Sequence, residues 1–94
     1  IRIHLDPTDA SNGALQVIPG SHNKRLSDEE IKVISSNSIP SLGEIDAGGI
    51  QIIKPLILHA SSKSRSQKRR RVIHIDFASM ELAGDLEWLE KDVF

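Results

Sequence analysis

Apolar and polar residues alternate from the first position. Ile1, Ile3 and Leu5 stand against Arg2 and His4, the period of a strand with one buried face. The cluster Asp6-Pro7-Thr8-Asp9-Ala10-Ser11-Asn12-Gly13 then reads as turn, and Asn12-Gly13 favours the positive φ of a tight return into a strand. Ala14 to Ile18 is the next strand, closed by Pro19-Gly20 and followed by a loop through Ser21, His22 and Asn23. The pattern changes at Ser27-Asp28-Glu29-Glu30, which has the form of a capping box. Ser27 is the N-cap, Glu30 reaches back to it, and Asp28 and Glu29 complement the helix dipole. Ile31, Val33 and Ile34 give this short helix an apolar side, Ser35-Ser36-Asn37-Ser38 weakens it, and Ile39-Pro40 stops it.

Ser41 to Ile45 predicts a short strand and Asp46-Ala47-Gly48-Gly49 a turn. Ile50 to Ile53 and Leu56 to Leu58 are β-rich runs parted by Lys54-Pro55, where proline signals an edge, a bulge or a break. Ser61 to Lys68 has no apolar residue and reads as loop. Arg70 to Phe77 alternates strictly, with Arg70, Val72, His74 and Asp76 on one face and Ile73, Ile75 and Phe77 on the other. Met80 to Glu90 predicts a short closing helix whose apolar side is Leu82, Leu86 and Leu89, with Trp88 beside them. Many short strands, evenly spaced turns and two minor helices predict a mainly all-β antiparallel sandwich or jelly roll, not a helical bundle or a parallel α/β sheet.

Composition sharpens that picture. The chain has 94 residues, enough for one domain at most. Its hydrophobic fraction is 38% and its aromatic fraction 3%, a thin supply for a small domain that must offset chain entropy. The chain also opens in mid-strand at Ile1 without a methionine, and so reads as a piece of something longer. The absence of a targeting segment then carries little weight, and a cytoplasmic location is the default expectation. A formal net charge of −1 argues against a nucleic-acid partner, and no stretch is long enough to span a bilayer. With no cysteine, disulfides and thiolate metal sites are excluded.

Four places carry candidate chemistry. His4-Leu5-Asp6 has the His-x-Asp form that supplies two ligands of a two-histidine, one-carboxylate iron site; the bland alternative is a histidine lining the sheet and an Asx turn. His59 ends an apolar run just before a polar loop, a position that suits a metal ligand or a strand-end histidine bonded to backbone. Arg70 lies 11 residues later within the basic run Lys68-Arg69-Arg70-Arg71, which as a whole reads as a solvated turn. Strand alternation separates its members: if Arg70 points into the fold, Arg71 points away. An inward arginine needs an anion, and a dicarboxylate held bidentately serves. Ser61, two residues past His59, either faces the same side or is an exposed loop serine.

Three ordered segments resemble the phytanoyl-CoA dioxygenase family. Asn12-Gly13-Ala14-Leu15-Gln16-Val17-Ile18-Pro19-Gly20-Ser21-His22 is similar to its Asn-Gly-x-Leu-x-x-x-Pro-Gly-Ser/Thr-His signature. Lys54-Pro55-Leu56-Ile57-Leu58-His59-Ala60-Ser61 is similar to the segment with the distal iron histidine, and Arg70 to Phe77 to the last core strand. The resemblance runs from Ile1 to about Trp88. It implies an Fe(II)- and 2-oxoglutarate-dependent dioxygenase on a cupin-like double-stranded β-helix, of which residues 1–94 form the C-terminal half. It implies that His59 is an iron ligand, that Arg70 holds the far carboxylate of 2-oxoglutarate, and that Ser61 assists it. It implies a small-molecule substrate, hydroxylated at a C–H bond. The signature itself is expected to shape the loop after Ile18, with Gly20 taking a turn that a β-carbon would resist.

One departure follows from the same alignment. The family's His-x-Asp lies upstream of the strand that leads into the Asn-Gly turn, whereas His4-Leu5-Asp6 falls within that strand. His4 and Asp6 are therefore not expected to be the missing ligands, which are expected before Ile1. Arg2 and His4 share a face by parity and become secondary pocket candidates. Two rival readings remain: a jelly-roll binding module without catalysis, and a cupin-like metal protein without 2-oxoglutarate. Arg70 weighs against the second, because such a site needs no inward arginine.

Overall fold

A computed structural model describes residues 1–89. It contains six strands and one helix: β1 (Arg2–His4), β2 (Leu15–Val17), α1 (Asp28–Asn37), β3 (Ser41–Gly43), β4 (Ile50–Gln51), β5 (His59–Ser61) and β6 (Val72–His74). They make two three-stranded antiparallel sheets, β4-β1-β6 and β3-β2-β5. The mainly-β expectation holds at that level.

Local signals explain most of these elements. Gly13 has φ +84° and Gly20 φ +81°, so the Asn-Gly and Pro-Gly turns adopt the left-handed backbone that glycine permits. At the start of α1 the Ser27 hydroxyl accepts the Glu30 N–H at 3.3 Å, and the Glu30 carboxylate accepts the Ser27 N–H at 2.8 Å. The helix ends at Asn37, where the serine-rich run predicts weakening.

Three expectations are corrected. Leu56-Ile57-Leu58 is not a strand: Lys54-Pro55 turns the chain, with the Ile57 N–H on the Lys54 carbonyl, and pairing begins only at His59. Ser61 accordingly belongs to β5 and not to the polar loop. The second short helix is absent. Residues 80–89 run as bends and turns, Gly84 has φ +69°, and Met80, Leu86 and Leu89 are exposed; Glu90 lies outside the described residues. An isolated segment of that length has no packing to repay helix nucleation.

The core is small. Ala14 and Leu15 are its buried apolar residues, and the radius of gyration is 15.5 Å, against roughly 12 Å for a compact chain of this length. The reason lies in the sheet faces. Ile3 stands opposite both Ile50 and Ile73, a row of three isoleucines whose two outer members are exposed. The other face of the same sheet turns toward β3-β2-β5. Gln51 reaches Gly43, where an added Cβ would lie 2.6 Å from its Nε2, and Arg70 donates to the Gly13 carbonyl.

Candidate functional site

The second sheet places two of the predicted residues together. His59 pairs with Val17 and Ser61 with Leu15, so both side chains share the face on which Leu15 is buried. His59 Nδ1 lies 2.8 Å from the Ile57 carbonyl. A carbonyl only accepts, so Nδ1 carries the proton and Nε2 holds the ring's free lone pair. That is the tautomer a metal-binding imidazole needs, fixed by the kind of backbone contact that orients such ligands.

Arg70 reaches this region from the first sheet. It precedes β6, one residue before Arg71 and two before Val72, and its Nη1 donates to the Gly13 carbonyl. Gly13 lies between Arg70 and the residue after Ser61. A Cβ there would sit 2.7 Å from the Ser62 carbonyl and 3.4 Å from Arg70 Nη1. The missing side chain therefore lets the guanidinium approach the His59–Ser61 strand. One arm of the fork is engaged by the carbonyl.

Arg70 is exposed, not turned into the fold as alternation predicts, and Arg71, also exposed, is engaged elsewhere. Its Nε and Nη2 donate to the two Asp6 carboxylate oxygens at 2.8 and 2.9 Å, and its backbone N–H adds a third bond at 2.8 Å. These contacts hold the Asp6 carboxyl down at about 2, below its ordinary 3.8. Asp6 is thus committed to Arg71, and among the described residues no three His, Cys, Asp or Glu side chains gather as a metal site. His4 is 1% exposed, with the Thr8 hydroxyl 3.4 Å from Nδ1.

Two contributions escape the sequence. Ser21, from the Pro-Gly-Ser-His loop, donates to the Ile18 carbonyl at 2.7 Å and accepts the Leu58 N–H at 2.8 Å. The Ile18 N–H bonds the Leu58 carbonyl at 2.9 Å. The signature loop thereby clamps the residue just before His59, and its serine is the only hint of this in the sequence. Gln51 is the other. It occupies the inward parity of an otherwise apolar run, and its Oε1 is buried without a partner.

No helix among the described residues is long and apolar enough to cross a membrane. A family model described as phytanoyl-CoA dioxygenase (PhyH) matches residues 1–72, the span from β1 to the first residue of β6. It includes the clamped signature loop, His59, Ser61 and Arg70. No curated protein and no solved structure matches the chain.

Proposed function

The chain belongs to the phytanoyl-CoA dioxygenase family, a family of Fe(II)- and 2-oxoglutarate-dependent oxygenases, and from that premise we propose that it forms part of such an enzyme, acting on a small organic molecule. The two sheets are read as strands of one double-stranded β-helix. The observation that carries the proposal is the Gly13 approach, which brings Arg70 beside the strand of His59 and Ser61.

The residues fit the roles. His59 is the proposed iron ligand, through Nε2, with Nδ1 held on the Ile57 carbonyl. Arg70 is the proposed anchor for the far carboxylate of 2-oxoglutarate, through its guanidinium. Ser61 is the proposed hydroxyl partner of the same carboxylate, because β5 presents it two residues from His59 on the same face. When bound, iron with 2-oxoglutarate supplies the oxidising chemistry that inserts an oxygen atom into a C–H bond. The protein's own part is to orient. Ser21 holds the backbone before His59, and Gly13 fixes the guanidinium against the second sheet, so the metal end and the carboxylate end are set by one scaffold.

Anaerobic titration of the full-length protein with Fe(II) and 2-oxoglutarate tests this reading. A visible charge-transfer band is expected, and His59→Ala is expected to remove it. Arg70→Ala is expected to weaken 2-oxoglutarate by about 2–4 kcal/mol, the scale for losing one partner of a desolvated charge pair. A band that survives His59→Ala, or an unchanged affinity in Arg70→Ala, overturns the corresponding role.

A further inference from the structure

Among the described residues, three buried polar side-chain atoms have no hydrogen-bond partner: Arg2 Nε, His4 Nε2 and Gln51 Oε1. Strand register puts their residues side by side. Arg2 stands opposite Gln51 on β4 and opposite His74 on β6, and His4 follows two residues along the same face of β1. That face turns toward the second sheet, since Gln51 reaches Gly43 across the gap. Buried polar groups in folded proteins are almost always paired, so three orphans on one sheet face call for a partner.

The surrounding charge indicates what that is. Burial lowers the pKa of His4, and then Arg2, Arg70 and His74 lower it further. Burial and then Arg70 lower that of Arg2. The charged groups that act on this pair are all cationic, and neither Arg2 nor Arg70 has an ion pair among the described residues. Unpaired donors beside partly buried Arg2 and exposed Arg70, with no acid among them, are complementary to a carboxylate. A flip of the Gln51 amide would put its nitrogen, the only one of its two polar atoms that can donate to a carboxylate, where the oxygen lies.

We propose that Arg2, with His4 and Gln51, forms a second carboxylate-binding position on the inner face of β1, beside that of Arg70. This rests on the reading of Arg70 given above. The carboxylate comes from one of two sources: the far end of 2-oxoglutarate, shared between two arginines, or an acid group on the molecule to be hydroxylated.

Calorimetry on the full-length protein distinguishes them. In the first arm, wild type, Arg2→Met and Arg70→Met are titrated with 2-oxoglutarate and with 2-oxovalerate, which lacks the far carboxylate. In the second, acetate is added at saturating 2-oxoglutarate and the rise in melting temperature is read. Arg2→Met is expected to lose at least tenfold in carboxylate affinity in one arm. Weakened 2-oxoglutarate with unchanged 2-oxovalerate assigns the position to the co-substrate. Loss of the acetate response assigns it to the substrate. No change in either arm overturns the proposal.

Gln51→Glu gives a second reading that does not require Arg2→Met to fold. It places an internal carboxylate beside Arg2, so a higher melting temperature and a weaker ligand response are expected. A lower melting temperature with an unaltered ligand response overturns the proposal. Arg70→Met separates the two claims: unchanged 2-oxoglutarate affinity in that variant sinks the Arg70 role, whatever Arg2 does.

Discussion

Two buried polar clusters lie at the two ends of one short connection, and they are built on opposite terms. In the turn before β2, Asn12 is 1% exposed and fully engaged. Its Oδ1 accepts the Asp9 N–H at 2.8 Å, and its Nδ2 donates to the Pro7 carbonyl at 2.9 Å. Asp9 in turn accepts the Ser11 N–H and hydroxyl. On β1, His4 is equally buried, but its Nε2 has no partner, like Arg2 Nε and Gln51 Oε1 nearby. Burial alone therefore does not reveal a residue's purpose. A satisfied polar cluster dictates backbone geometry, whereas an unsatisfied one costs stability and persists where a ligand needs it.

That contrast can be broken in order of expected effect. Gly13→Ala should cost the most, about 2–4 kcal/mol in urea unfolding, because it adds a left-handed penalty to a 2.7 Å approach to the Ser62 carbonyl. The same variant should weaken 2-oxoglutarate binding, because Arg70 leans on Gly13. Asn12→Ala should cost about 2–3 kcal/mol, since it orphans the Pro7 carbonyl and the Asp9 N–H together. Ser21→Ala should cost about 1–2 kcal/mol and loosen His59, with Ser21→Thr restoring both. A Thr variant as impaired as the Ala variant would deny the hydroxyl its clamping role.

The opposite cluster should answer differently. His4→Leu removes the orphaned Nε2 at the cost of only the long 3.4 Å Thr8 contact, and the ligand-free protein should be about as stable as wild type. If it instead loses as much as Asn12→Ala, the two clusters do not differ in kind.

The smallest effect concerns acid. Asp6 and Asp9 are both held at about 2, Asp6 chiefly by the Arg71 side chain and Asp9 chiefly by the Ser11 hydroxyl. A depressed folded value means their stabilisation is complete above the ordinary 3.8 and is lost as pH falls through about 2. The urea midpoint should therefore drop across that window, and Asp6→Asn should flatten part of the slope. Both carboxylates keep some contact with water and are paired with exposed basic side chains, so the change should be modest.

Much of this was legible along the chain. The capping box at Ser27 and Glu30 and the glycine turns at Gly13 and Gly20 follow from local rules and appear in the structure, whereas Arg70, expected to point inward, is exposed like Arg71. The motif-bearing segments also singled out His59, Ser61 and Arg70 as candidates. Elsewhere local rules misled. Leu56-Ile57-Leu58 has strand composition, yet pairing starts at His59, because Lys54-Pro55 spends those residues on a turn. The apolar side expected of a helix near Leu82 and Leu86 finds no surface to pack against among the described residues.

By itself the sequence determined what depends on neighbours in the chain: where the helix begins, where the backbone turns left-handed, which residues alternate, and which family they match. Only the tertiary structure decided which polar groups find partners. Arg2, His4 and Gln51 look no different in the sequence from Asn12, Asp9 and Ser21. Their fates diverge because pairing β1 with β4 and β6, and turning that face toward the second sheet, removes three atoms from water without offering a bond. Burial and hydrogen-bond satisfaction are set by strand register across the fold, which no local pattern encodes.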